Sequence, residues 1–298
     1  MKKLFLLLLL LPVMMLLACN DDSSDREFVE AAVDIMDTYG LFATGTSWEN
    51  AKAEALASNP ETFEEAQTIV RKALKVAGGK HSFLRVNTQN SSSQSATPQP
   101  AQMPTVINRD DNILVVKLPP FSSGTQEGKQ YAQTVLDAIQ PNLRGAVIDL
   151  RQNTGGNMYP MLAAVHRFFP DEEVFYFKYR DNSTFAVTVN KIVTMVELER
   201  QNYISCPVAI LVDSHTASAA EMVLLAFQGL DNVRTFGTNS AGYSSGNRGF
   251  DLPKNTTLAL TTSSVITRNG KEFCNNYIEP NVRTSTPLEN AIYWINQQ

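Results

Sequence analysis

Apolar residues between Arg26 and Val76 return at steps of three and four: Phe28, Ala31, Ala32, Ile35 and Met36, then Phe63, Ala66, Ile69, Val70, Ala73 and Leu74. Each set lies on one face of a helix. Residues 47–57 carry a third helical pattern, and Asn59-Pro60 interrupts the chain before the last one. Proline lacks the N–H donor and pushes its predecessor out of helical geometry. The pattern predicts a small helical module over 26–80, which ends at Gly78-Gly79-Lys80-His81. Residues 88–104 are rich in Ser, Gln, Asn and Pro, with almost no large apolar side chain. They read as a loop or linker within the connecting segment 81–109.

Beyond that segment strand and helix signals alternate. Runs at 112–117, 145–150, 173–178, 184–189, 207–213, 233–237 and 257–266 predict strands, and 127–139, 159–169, 191–201, 218–227 and 289–297 predict helices. Continuous apolar strands joined through amphipathic helices predict an α/β core over 110–298, its sheet covered on both faces. There is no internal repeat.

At the start, Lys2 and Lys3 precede an uncharged apolar run from Leu4 to Ala18 that ends in Leu16-Leu17-Ala18-Cys19. The run is shorter than the ~20 residues of a membrane-spanning helix and follows a basic start, as a secretory signal does. The Leu-Leu-Ala-Cys sequence resembles the lipobox of bacterial lipoproteins, which implies removal of 1–18 and lipidation of Cys19. An uncleaved anchor helix is the other reading, and both place the chain outside the cytoplasm at a membrane. Polar residues 19–25 then read as a solvated tether.

The chain has 298 residues, with 25 Lys+Arg against 30 Asp+Glu and a net charge of -5. Loss of 1–18 removes two lysines, leaving 23 against 30 and a net charge of -7. An acidic balance argues against a nucleic-acid partner. Three Cys and three His leave too few ligands for a Cys/His zinc cage. Cys206 and Cys274 can bridge or remain free thiols; spacing does not decide.

Two strand-to-helix turns carry candidate chemistry. Pro207–Asp213 runs into Ser214-His215-Thr216-Ala217-Ser218-Ala219-Ala220-Glu221. This geometry presents a hydroxyl at a helix N-terminus, where free N–H groups can hold an oxyanion. Equally, Ser218 or Thr216 can simply cap the helix. Gly145–Arg151 runs into Gln152-Asn153-Thr154-Gly155-Gly156, where paired glycines allow close backbone approach. Asp149 and Arg151 read as structural. Glu221, in a first helical turn, complements the helix dipole.

Together, D-L-R-x-N-x-G-G and T-A-S-A-A-E resemble the S41 serine peptidases, the C-terminal-processing and tricorn-core group. Gly237–Gly242 is similar to the family's G-x-x-x-x-G loop, and Tyr277–Val282 to its G-I-x-P-D-V segment. The resemblance spans about residues 110–285 and implies a ClpP/crotonase-like catalytic core; no PDZ-sized segment separates His81 from it. It implies Ser218 as nucleophile, with Ala219, Gly155 and Gly156 as oxyanion donors and Thr216, Ala217 and Tyr243 against the substrate. The lysine-dependent branch has Lys where this chain has Tyr243. The tricorn-like branch has a His in D-G-H-S-F, resembled by Gly79-Lys80-His81-Ser82-Phe83, and a Glu where Cys274 stands; Glu272 nearby is the candidate third member. A membrane-anchored branch with T-A-S-S-A-E-M in place of Thr216–Met222 works with a His-Ser dyad, which implies His81 as the base.

His166 lies in an apolar helical pattern and reads as packing. His215 is three residues from Ser218 and can line the site. The implied activity is that of a membrane-anchored extracytoplasmic serine endopeptidase. It would cleave peptides or unfolded proteins near their C-terminal end, in antimicrobial-peptide resistance or envelope protein processing, with no metal or cofactor. A non-catalytic peptide- or ligand-binding lipoprotein on the same scaffold is the alternative, motivated by Tyr243 and Cys274.

Overall fold

The computed structural model describes residues 24–87 and 101–298. The expected signal, Cys19 with its expected lipidation, and most of the expected linker at 88–104 fall outside them. Ser24 caps the first helix: its Oγ accepts from Glu27 N at 3.1 Å, and its own N–H donates to Glu27 Oε2 at 2.6 Å. The helix therefore begins at Asp25, the last residue of the expected tether. Helices α1 (Asp25–Tyr39), α2 (Gly45–Ala57) and α3 (Phe63–Gly78) form the predicted module. A 3-10 turn, Gly79–His81, leads into strand β1 (Phe83–Val86).

There follow β2 (Thr105–Asn108), β3 (Ile113–Lys117), α4 (Thr125–Leu136), β4 (Gly145–Asp149), α5 (Met158–Ala164), β5 (Glu173–Tyr179), β6 (Thr184–Thr188) and α6 (Val189–Thr194). The chain closes with β7 (Val208–Val212), α7 (Ala219–Ala226), β8 (Val233–Gly237), β9 (Gly246–Leu252), β10 (Thr256–Thr267), β11 (Glu272–Phe273), β12 (Val282–Arg283) and α8 (Pro287–Asn296). The helix expected over 191–201 stops at Thr194, and Glu197 adopts φ 54°, a left-handed conformation that ends helical continuation.

Among the described residues the strands form two sheets, where one was expected. The order β12-β8-β7-β4-β3-β2 is parallel except for β2, which pairs antiparallel with β3. Its strands divide their side chains as a doubly covered sheet must. Val208, Ile210 and Val212 join the core beneath α4, α5 and α7, while Ala209 and Leu211 join Ala291 and Ile295 of α8 on the other face.

The second sheet is antiparallel and organised on the long β10, which pairs with β1, β5, β9 and β11. Leu84, Leu252, Leu258 and Leu260 from this sheet share a core with Phe28, Trp48, Val70 and Leu74 of the helical module. No helix among the described residues is long and apolar enough to cross a membrane.

Arg180 ties the module to the second sheet. Its guanidinium donates to the carbonyls of Asp37 (2.8 Å), Thr38 (3.0 Å), Gly40 (3.2 Å) and Ala43 (2.8 Å). Asp37 and Thr38 lie in the last turn of α1, which has no basic residue of its own there; Gly40 caps that helix, and Ala43 stands in the turn before α2. A cation there satisfies orphan acceptors and complements the helix dipole. Arg180→Ala should therefore destabilise the protein by roughly 2–3 kcal/mol, the scale of hydrogen bonds to a charged group. Urea denaturation followed by tryptophan fluorescence would measure it.

Candidate active site

Ser218 stands between β7 and α7, with φ 54° and ψ -115°, a region costly for a side-chain-bearing residue. Its hydroxyl lies 3.0 Å from His81 Nε2. The strained backbone is held by its neighbours: Ser218 N–H donates to Glu221 Oε2 at 2.9 Å, and Met222 N–H to Ser218 O at 3.0 Å. Ala217 N–H donates to Asn153 O at 3.0 Å, which brings the β4 turn against the Ser218 turn.

Asn153 explains why its own turn needs an Asn. Fully buried, it donates through Nδ2 to Leu118 O at 2.8 Å and accepts from Gly155 N–H at 2.9 Å. The second glycine needs its bare α-carbon: Gly156 has φ +116°, and a Cβ there would fall 1.9 Å from Phe121 O. Gly155 N–H is thus committed within the turn. Ala219 N–H and Gly156 N–H make no hydrogen bond among the described residues, and they are the donors free to meet an oxyanion beside Ser218. Of the expected donors, Gly155 is corrected to a structural role.

His81 arrives from the other layer, at the end of the 3-10 turn. Gly79, with φ +65°, lets the chain leave α3 sharply, as a C-terminal glycine can. Ser82 then fixes the turn: its Oγ donates to Gly78 O at 2.9 Å and accepts from Thr261 N–H of β10 at 2.8 Å. Asn247 Nδ2 donates to His81 O at 2.7 Å.

Behind the imidazole, Nδ1 lies 2.8 Å from Ser245 Oγ, and that hydroxyl donates to Asn275 Oδ1 at 3.0 Å. A hydroxyl that donates to Asn275 meets Nδ1 as an acceptor, so Nδ1 carries the proton and the Nε2 lone pair faces Ser218. His81 is 9 % exposed. Burial, assisted by the Lys80 charge, lowers its pKa from 6.5 to about 4. A serine hydroxyl facing a neutral, oriented imidazole can lose its proton to it and attack an electrophilic carbon.

Glu272 is not part of this chain of bonds. Its carboxylate accepts from Ser264 Oγ at 2.6 Å and Lys178 Nζ at 3.0 Å on the second sheet. The place behind His81 belongs to Ser245 and Asn275, which sequence reading passed over. Cys274 carries no charge there, since burial pushes its thiol up to about 11; it and Cys206 are free thiols.

Thr216 is also corrected. It is fully buried, its hydroxyl donating to Leu150 O at 2.9 Å and accepting from Asp213 N–H at 3.1 Å, so it holds the turn rather than a substrate. Ala217 and Tyr243 line the cavity of about 750 Å³ that contains Ser218 and His81, and the Tyr243 ring sits edge-on to His81 at 5.3 Å. His215 lines the same cavity, bonded to Gln152 Nε2 at 3.0 Å. His166 is a packed core histidine, between Ala163 O at 2.7 Å and Gln201 N–H at 2.9 Å. Arg151 makes a two-pronged pair with Asp149, at 2.8 and 2.7 Å, next to the β4 turn.

Glu221 does more than complement a dipole. It is fully buried and accepts from Ser218 N–H, Ser240 Oγ (2.5 Å), Gly242 N–H (2.9 Å) and Tyr243 N–H (2.7 Å). Burial raises its pKa while these donors pull it down.

Residues 112–284 match the model of peptidase family S41. The nisin-resistance protein of Lactococcus lactis subsp. lactis is 30% identical over 286 residues, 92% of this chain and 88% of that protein. The carboxy-terminal processing protease CtpA of Bacillus subtilis is 26% identical over 180 residues, 60% of this chain and 36% of that one. Among solved structures, a lipoprotein from Streptococcus agalactiae has a TM-score of 0.80 at 28% identity, with 98% of this chain and 99% of that one covered. The photosystem II D1 C-terminal processing protease, at 15% identity and TM-score 0.57 with 88% and 93% covered, shares the fold.

A neutral His81 sets a pH expectation. The imidazole accepts a proton only when unprotonated, so labelling of Ser218 by a fluorophosphonate probe should be lost as pH falls through about 4, not through 6.5. Labelling rates across pH 3–8, with the intact fold checked by circular dichroism, would measure this. Ser245→Ala should slow labelling roughly 10–100-fold at neutral pH, part of the 10²–10⁴ carried by an oriented general base.

Proposed function

The chain belongs to peptidase family S41, and we propose that it is a serine endopeptidase working through Ser218 and His81 on peptides near their C-terminal end. The observation that carries this reading is the 3.0 Å contact between Ser218 Oγ and His81 Nε2, bridged across 137 residues of chain between two layers of the fold. His81 takes the Ser218 proton as Oγ attacks the peptide carbonyl. The oxyanion forms beside Ala219 N–H and Gly156 N–H. The imidazolium then gives its proton to the leaving amine, and water cleaves the acyl-enzyme by the same steps in reverse order.

Lipidation at Cys19 would hold the enzyme at the outer side of a membrane, where it would meet exogenous peptides or envelope proteins. The likeness to the nisin-resistance protein favours antimicrobial-peptide resistance over general processing. The same likeness extends to the lipoprotein neighbour, which supports the anchored arrangement.

Full-length protein in detergent, incubated with a peptide library and read by mass spectrometry, tests the activity. Ser218→Ala and His81→Ala should each lower kcat/KM by about 10³-fold or more. Cleavage surviving Ser218→Ala would refute the mechanism. An absence of cleavage across the library, with peptide binding retained, would establish the binding lipoprotein instead.

A further inference from the structure

The two turns that meet beside Ser218 carry a second cluster of polar groups, which the proposed mechanism leaves unused. Asp213 follows β7, Gln152 stands in the turn after β4, and His215 precedes Ser218 by three residues. The Asp213 carboxylate accepts from His215 N–H at 2.9 Å, from Gln152 N–H at 3.2 Å and from Gln152 Nε2 at 2.6 Å. Gln152 Nε2 also lies 3.0 Å from His215 Nδ1. Only the NH2 end of the Gln152 side chain can face a carboxylate, so its amide orientation is fixed. Its other N–H then donates to Nδ1, and an imidazole that accepts at Nδ1 carries its proton at Nε2. A second proton would enter at Nδ1, 3.9 Å from Asp213 Oδ2, and leave the first in place. Nε2 is therefore an N–H donor in both charge states.

That donor has no hydrogen-bond partner among the described residues. The His215 side chain is 60 % exposed and lines the cavity that contains Ser218. Gln152 sits at φ 64°, a left-handed conformation unfavourable by about 1–2 kcal/mol for a residue with a side chain. The two turns are joined without it, by Ala217 N–H to Asn153 O at 3.0 Å and by Thr216 Oγ to Leu150 O at 2.9 Å. What Gln152 adds is a fixed orientation for a ring that would otherwise turn freely. Both arms of the cluster belong to the turns that present the free N–H groups of Ala219 and Gly156. Three residues span at most about 11 Å, so His215 meets a bound peptide within a few residues of the bond beside Ser218. The acceptors that every peptide offers along its length are its carbonyls, and an N–H donor matches them.

We propose that His215 is a substrate-binding residue whose Nε2–H holds one backbone carbonyl of the bound peptide, with Gln152 and Asp213 positioning its ring. The proposal rests on the reading of the cavity as a peptide-cleaving site. It adds a contact that sets the register of the peptide relative to Ser218.

The test uses full-length Ser218→Ala protein in detergent, with peptide binding followed by fluorescence anisotropy. The probe is the tightest-binding member of the peptide library, labelled and remade as a set in which each backbone amide in turn is an (E)-alkene. The alkene keeps the shape of the amide and removes its carbonyl. Each member is measured on Ser218→Ala and on Ser218→Ala/His215→Ala, with the fold of every variant checked by circular dichroism.

At one position the alkene should weaken binding roughly fivefold when His215 is present and less than about twofold when it is absent, the scale of one hydrogen bond read by a double-mutant cycle. His215→Gln places an N–H where Nε2 stood and should keep a loss of about twofold or more at that position, whereas His215→Asn should not. Gln152→Leu leaves His215 in place but frees its ring, and should reduce the fivefold loss to about twofold. Equal losses with and without His215 at every position, or no binding by any library member, overturn the proposal. Cleavage of the same library by the wild-type protein is measured in parallel. A His215-dependent loss without cleavage overturns the peptidase reading alone, and cleavage with no such loss overturns this proposal alone.

Discussion

The buried carboxylate of Glu221 is the constraint around which the site is built. A charge removed from water must be met by donors or it is lost to protonation, and here the donors come from three places. Ser218 N–H belongs to the turn before α7, Gly242 and Tyr243 N–H to the loop above it, and Ser240 Oγ to the approach to that loop. Ser240 Oγ in turn accepts from Ile278 N–H at 2.8 Å, and Ser244 Oγ donates to Asn276 O at 2.6 Å. The segment carrying Asn275 is thereby fixed to the same loop. A single buried acid thus links the strained Ser218 turn to the segment that carries Asn275, behind His81.

The hydrogen-bond chain Ser218–His81–Ser245–Asn275 contains no carboxylate. An acid behind a catalytic histidine both fixes its tautomer and stabilises the imidazolium that forms. Ser245 can supply the first of these fully and the second only through a lone pair. Burial meanwhile holds the imidazole neutral, with its pKa lowered to about 4. A base of that kind is always available at neutral pH but draws the proton weakly. In the proposed mechanism more of the barrier would fall to the oxyanion donors, and the fold commits much to their turn: a buried Asn153 braces the β4 turn, and Gly156 approaches Phe121 O where no side chain fits.

The sequence was most legible where one element carries its own pattern. The helical faces of α1 and α3, the doubly buried strands β4 and β7, and the turns that follow them were all readable from periodicity and from Gly-Gly and Ser placement. The resemblance to S41 peptidases then pointed to Ser218 and His81 among several hydroxyls and histidines, and these two side chains lie 3.0 Å apart. Partners made by long-range contact had no local signal. Strand β9 reads Gly-Asn-Arg-Gly-Phe-Asp-Leu, too polar to look like a strand; pairing with the long β10 forms it. Ser245 and Asn275 stand in polar loops 164 and 194 residues beyond His81, and only the meeting of those loops gives them a role. Glu272 failed for the converse reason: closeness in sequence to the expected position gave it no closeness to the imidazole.

That division has a structural cause. The parallel sheet supplies Ser218 after β7 and the glycine turn after β4. The antiparallel sheet supplies Ser245 just before β9 and Asn275 just after β11, and the helical module delivers His81 at the end of α3. Each half carries a familiar local form, and neither carries a site. Ser218 can meet His81 only when α3 is docked on β10, through Ser82 and Thr261, and the 240–243 loop is closed on Glu221. Assembly of the two layers and assembly of the site are therefore one event. The helical module, which contributes His81 to the proposed chemistry, would for that reason be as necessary to it as the core.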